Sequence, residues 1–112
     1  MARHIANRIV RFEEFTDKDC NPIDDWHRDF LGLEGMLCIY ESEHKAPGKR
    51  FVYFYPNEPG AQMQRYFNST SGEVSETRNK LILTTNHRYV FSIGDYMSEE
   101  DRELLLLNVF IR

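Results

Sequence analysis

The stretch from Lys80 to Ile93 leaves this chain little choice of local structure. Lys80 to Thr85 (KLILTT) and Arg88 to Ile93 (RYVFSI) are strand-forming runs flanking Asn86-His87, a two-residue connection that opens on a turn-tolerant Asn. This predicts an antiparallel hairpin, closed by Gly94-Asp95. Arg50 to Tyr55 (RFVYFY) is a second run of aromatic and branched residues, and Pro56-Asn57-Glu58-Pro59-Gly60 ends it. Asn7 to Phe15 alternates, with Val10 and Phe12 on one face and Arg11 and Glu13 on the other. Ile23 to Phe30 is expected as its return strand, giving a hairpin over residues 7–28 whose polar tip is Asp17 to Pro22. Trp26 is the expected core anchor of that strand.

Leu33 to Tyr40 is almost continuously apolar and reads as a buried strand. Residues 61–79 lack periodicity and are rich in Gln, Asn, Ser, Thr and Gly. They fall in an expected loop-rich insertion at about 56–79, and removal of residues 61–76 should leave the fold intact. Ser98-Glu99-Glu100-Asp101 resembles a helix start, yet Leu104 to Ile111 is as good a buried strand, and a final strand is expected there. About six strands and little helix imply an all-β chain, a small antiparallel β-barrel or sandwich with long loops.

At 112 residues, with 41% hydrophobic and 29% charged side chains, residues 1–112 suit one globular domain. No apolar run is long enough for a bilayer span, and Met1-Ala2-Arg3-His4 opens no apolar leader, so a soluble, non-secreted chain is expected. Cys20 and Cys38 suggest neither a disulfide framework nor a zinc knuckle, and Cys38 reads as a reduced core thiol. The net charge of −4 is unevenly spread: +3 over residues 1–11, −8 over 12–43, +4 over 44–88 and −3 over 89–112. Such blocks suit complementary surfaces between partners or between copies, or simply an uneven solvated surface. A sequence-specific nucleic-acid reader is disfavoured, because phosphate binding needs a dense basic stripe.

Signals of catalysis are weak. His4, His27, His44 and His87 fall on four separate segments, without the local spacing of a metal site. Adjacent acids such as Glu13-Glu14 and Asp24-Asp25 point to opposite faces of a strand, so neither pair is a carboxylate dyad. The glycines are scattered singly, and the Ser and Thr residues of 69–77 sit in no nucleophile motif. No enzyme activity, cofactor or metal is expected.

The order of elements carries a resemblance. Arg8-Ile9-Val10-Arg11-Phe12, the turn Asp17-Lys18-Asp19-Cys20-Asn21-Pro22, Asp25-Trp26 and the apolar strand from Leu33 resemble the opening of the bacteriophage head–tail joining proteins, also called head-closure, stopper or connector proteins. Lys80-Leu81-Ile82-Leu83, Arg88-Tyr89-Val90-Phe91-Ser92-Ile93, an acidic turn, Arg102 and the leucine-rich end resemble their close. The match covers about half the chain, at its two ends. Cys20 stands where that family usually has Gly, Leu33-Glu34-Gly35-Met36-Leu37 replaces its Trp-Ala-x-Ile strand, and residues 41–79 have no counterpart.

The resemblance implies a small β-barrel forming a homo-oligomeric ring in the virion neck, made in the host cytoplasm. The ring would be dodecameric, or hexameric if tail-proximal, and would join portal or adaptor proteins to tail proteins. DNA would pass through without specific binding, and no membrane would be involved. Candidate ring-contact residues in the loops are Glu43, Lys45, Lys49, Arg65, Asn68, Glu73 and Arg78; the candidate acidic face is Glu13, Asp17, Asp19, Asp24 and Asp25. Two other functions remain open. The acidic block could mimic phosphate charge in a small inhibitor or immunity-type protein that covers a nuclease or other host enzyme. Phe51, Tyr53, Phe54 and Tyr55, with Lys49, Arg50, Arg65, Arg78, Lys80 and Arg88, could form a base-stacking surface, although such aromatics more often divide between core and cross-strand packing.

Overall fold

The computed structural model describes residues 2–43, 48–57 and 65–110, the last three by backbone alone. The elements are β1 (Ala2–Asp17), a short 3-10 helix (Trp26–Phe30), β2 (Glu34–Ser42), β3 (Arg50–Pro56), β4 (Phe67–Asn68), β5 (Glu73–Glu76), β6 (Lys80–Thr84), β7 (His87–Ile93) and α1 (Glu99–Phe110). The strands form one antiparallel sheet in the order β4-β3-β2-β1-β7-β6-β5.

The two ends of that order are neighbours in the chain, so the sheet must curl round on itself. The seam is visible in the hydrogen bonds. Ser69 N–H donates to the Val52 carbonyl (3.0 Å), and Arg50 and Gly72 exchange both backbone bonds (3.0 and 2.8 Å). Immediately afterwards Glu73 pairs with Thr84, so the chain has left β3 for β6. β4 and β5 are thus two halves of one bent strand that closes a six-stranded barrel. Only glycine fits the bend, because a Cβ at Gly72 would lie 2.1 Å from the Thr84 carbonyl oxygen.

The long first strand spans the opposite flank. Its first part pairs with β2, from Ala2↔Ser42 to Arg11↔Glu34, and its second with β7, from Val10↔Ile93 to Asp17↔His87. Register shifts between His4 and Ala6 and between Phe12 and Glu14 mark two bulges along it, which add the curvature closure needs. Alternate residues fill the interior: Val10, Phe12, Leu37, Ile39, Val52, Phe54, Phe67, Leu81, Leu83, Tyr89 and Phe91. Phe12 is central, with ring centroids of Phe91, Phe67 and Phe54 at 5.0, 5.1 and 6.1 Å. Each such buried side chain contributes about 1.5–3 kcal/mol.

A second, smaller core lies outside the barrel. Met36 and Cys38, on the outer face of β2, pack with Met97 and with Leu105 of α1. β2 is therefore buried on both faces, which explains its unbroken apolar sequence.

The expected all-β class with little helix is what the chain adopts, and the Lys80–Ile93 hairpin forms with its turn at Thr85-Asn86, one residue earlier than expected. Four expectations are corrected. Ile23 to Phe30 is not a strand. Pairing with β1 ends at the single Thr16↔Pro22 bridge; beyond it the Asp25 carboxylate accepts the His27 N–H (2.9 Å) and Arg28 N–H closes a tight turn on the Asp25 carbonyl (3.0 Å), leaving β2 as the partner of β1. Trp26 is consequently 55% exposed and anchors no core. The C-terminal stretch is a helix, with Ser98 Oγ accepting the Asp101 N–H (3.1 Å) and three acids in the first turn. β4 and β5 take the edges of β3 and β6 that a further strand would otherwise extend. Finally, the presumed insertion supplies those closing strands, so deletion of 61–76 would open the barrel; residues 58–64 lie outside the described residues.

Candidate functional site

Two opposite flanks of the barrel carry the predicted residues. Circling from β1, three steps through β7 and β6, or three through β2 and β3, reach the bent strand β4–β5. The turn after β1 and the bend at Gly72 therefore face away from each other. Through β6 and β7 the bend is in register with Asp17, by way of Thr84 and His87, whereas through β3 and β2 it is in register with Arg3, by way of Arg50 and Glu41, so the staggered strands offset the bend along the barrel from the turn.

The first flank is acidic. Between residues 17 and 29 stand five carboxylates against Lys18 and Arg28. Two of the five are turned inward. Asp17 accepts the N–H groups of Asp19 (2.8 Å) and Asn21 (2.9 Å), and Asp25 holds the His27 N–H and ring. The Asn21 N–H foremost holds the pKa of Asp17 below the ordinary carboxylate range, and the His27 N–H does the same for Asp25. Asp19 and Asp24 are exposed and point their charge outward with Asp29. Cys20 holds the turn in the left-handed conformation (φ 68°), the geometry for which glycine is usual. Glu13 does not join this group. It sits on the outer wall of β1, accepting from Ser92 Oγ (3.0 Å) near Arg11.

Behind the acidic turn the 3-10 helix closes the barrel end. Phe30 packs on Phe54 and Phe67, while the His27 ring lies between Trp26 (3.9 Å) and Phe15 (5.0 Å). Tyr89 lies beneath, its hydroxyl pushed above the usual tyrosine range by burial.

The second flank is an open groove of about 430 Å³ lined by Lys49, Thr70, Ser71, Gly72, Thr85 and Asn86. The bend at Gly72 creates it, and the Lys49 ammonium pairs with Glu73 on its rim. The hydroxyls, amide and ammonium along its wall are hydrogen-bond donors suited to a carboxylate. Sequence reasoning named Lys49 and Glu73 but missed Thr70, Ser71, Thr85 and Asn86. The only signal for Thr70 and Ser71 was the aperiodic polar composition of 61–79.

The other predicted residues are dispersed. Glu43 is exposed just beyond β2, and Lys45 lies outside the described residues. The Arg65 guanidinium sits over the Phe30 ring (4.7 Å), at the helix-closed end. Asn68 is exposed opposite Tyr53, and Arg78 is exposed in the β5–β6 turn. Several charges pair within the chain: Arg3 with Glu41, Arg8 with Glu76, Arg11 with Glu34 and Arg88 with Glu14.

The aromatic run divides by strand parity. Val52 and Phe54 enter the interior, while Phe51, Tyr53 and Tyr55 line the outer face, stacked with Tyr40 and Tyr66. Among the described residues no group of three or more His, Cys, Asp or Glu is arranged to hold a metal, and no helix is long and apolar enough to cross a membrane. Comparison with known proteins finds no matching family model, no matching curated protein and no matching solved structure.

Proposed function

We propose that the chain is a structural, non-enzymatic connector subunit of a phage or phage-like particle. It forms a ring in the virion neck that binds portal or adaptor proteins on one side and tail proteins on the other, with DNA passing through unread. The observation supporting this reading is the separation of roles in the barrel: its interior is filled by aliphatic and aromatic side chains, and its opposite flanks carry unlike chemistry. A filled barrel works through its outer surface, and unlike flanks suit head-to-tail association, the kind that closes rings. The inhibitor reading has weaker support, because Asp17 and Asp25 spend their carboxylates on the chain's own backbone rather than presenting phosphate-like charge.

The test is capture of the tagged protein from infected or induced cells of the source, with mass spectrometry and electron microscopy of the eluate. Portal or tail proteins with ring-shaped particles are the expected result. A compact one-to-one complex with a single enzyme would replace the connector with an inhibitor.

A further inference from the structure

The geometry points to a specific subunit contact: the acidic turn of one copy, with Asp19 and Asp24 foremost, docks in the Lys49–Thr85 groove of the next. This inference rests on the connector reading and names the surfaces through which the ring would form. Three features support it. The groove is lined by hydroxyl, amide and ammonium groups that can donate to carboxylates. The acidic turn carries more carboxylates than it uses internally, and Asp19 and Asp24 are exposed. The two surfaces lie three strands apart by either route, so a copy docked by its turn presents its own groove on the flank facing away from the contact. A contact between unlike patches on opposite flanks propagates, and closes when the rotation between copies divides the circle.

Glu73 already pairs with Lys49 in the isolated chain. An incoming carboxylate would share that ammonium and take its remaining partners from Thr70, Ser71 and Asn86, because the Thr85 hydroxyl is bonded to the His87 backbone. The contact is then electrostatic and polar, tuned for register, and should weaken with salt.

Zero-length carbodiimide coupling in a mixture of isotopically light and heavy copies tests the contact directly. The expected product is a mixed-label peptide pair joining Asp19 or Asp24 to Lys49. Links between Lys49 and Glu73 should appear only within one label, which provides an internal control. In sedimentation velocity, Asp19→Lys with Asp24→Lys should weaken self-association about tenfold or more, as should Lys49→Glu. The triple variant should recover it, since it reverses both charges. Three results would each overturn the contact: a native protein that stays monomeric, same-label links alone, or charge variants that associate like the native chain. Charge variants that still enter portal-bound rings would remove this interface and leave the connector standing. A mixed-label link without capture of portal or tail proteins would do the reverse.

Discussion

The flank built from β1, β2 and β3 and the flank built from β4, β5 and β6 belong to one barrel but are stabilised differently. On the first, β2 is buried on both faces, with the phenylalanine core inside and α1 outside. On the second, β4 and β5 are two and four residues long, and β5 contributes only the half-buried Val74 to the core. The first flank buries apolar area on both faces of β2, whereas the second buries it on the inner face alone, through Phe67, Leu81 and Leu83, and its bend rests on backbone hydrogen bonds and one glycine. The thinner flank leaves polar groups facing outward and a groove beside them, so the weaker side of the fold is the one equipped to meet another molecule.

This contrast can be broken most sharply at the seam. Gly72→Val should open the barrel, because no rotamer relieves a Cβ lying 2.1 Å from the Thr84 carbonyl. Circular dichroism and hydrogen exchange should show lost protection in β4–β6 first, and a variant as protected as the native chain would contradict a closed seam. On the other flank, Leu105→Ala should cost about 2–5 kcal/mol by emptying the space over Met36 and Cys38. Thermal unfolding would measure it, and iodoacetamide would report it independently. Burial pushes the Cys38 thiol up to about 12, so only the exposed Cys20 should react until α1 is loosened.

How much of this was legible in the sequence follows the same division. Strands with one buried face, such as β3 and β7, announced themselves by alternation. Residues 61–79 hid two strands, because short strands paired mainly through backbone need no apolar period. The C-terminal run Leu104 to Leu107 was ambiguous for the opposite reason, since consecutive leucines satisfy either period and only barrel closure decides between them. Trp26 misled because the capping of residues 26–30 by Asp25 outweighed alternation. Of the acidic face, Asp19 and Asp24 were found by charge alone, while the groove's hydroxyls were invisible until Gly72 placed them together.

Acid sharpens the comparison with a smaller effect. Asp17 and Asp25 have lowered pKa values in the folded state, so their stabilisation is complete above the unfolded carboxylate value near pH 4 and is lost as pH falls through the folded values. Asp25→Asn should flatten the decline of melting temperature below about pH 5, and an unchanged slope would mean that the Asp25 carboxylate does not hold the 3-10 helix. The smallest expected change is Trp26→Ala, at roughly 1 kcal/mol, from loss of its stacking on His27. A loss as large as that of Leu105→Ala would mean Trp26 is covered in solution.

The pairing of β1 with β7 has a consequence for how the molecule is made. Phe12 meets Phe91, a partner 79 positions further along the chain, so β1, made before the other strands of the barrel, cannot complete its pairing until nearly all of them exist. Until then β1, β2 and β3 wait as a meander with one long unsatisfied edge. Closure by such distant contacts is slow, on the order of milliseconds to seconds. During synthesis, the nascent chain therefore exposes the very backbone that the finished barrel conceals.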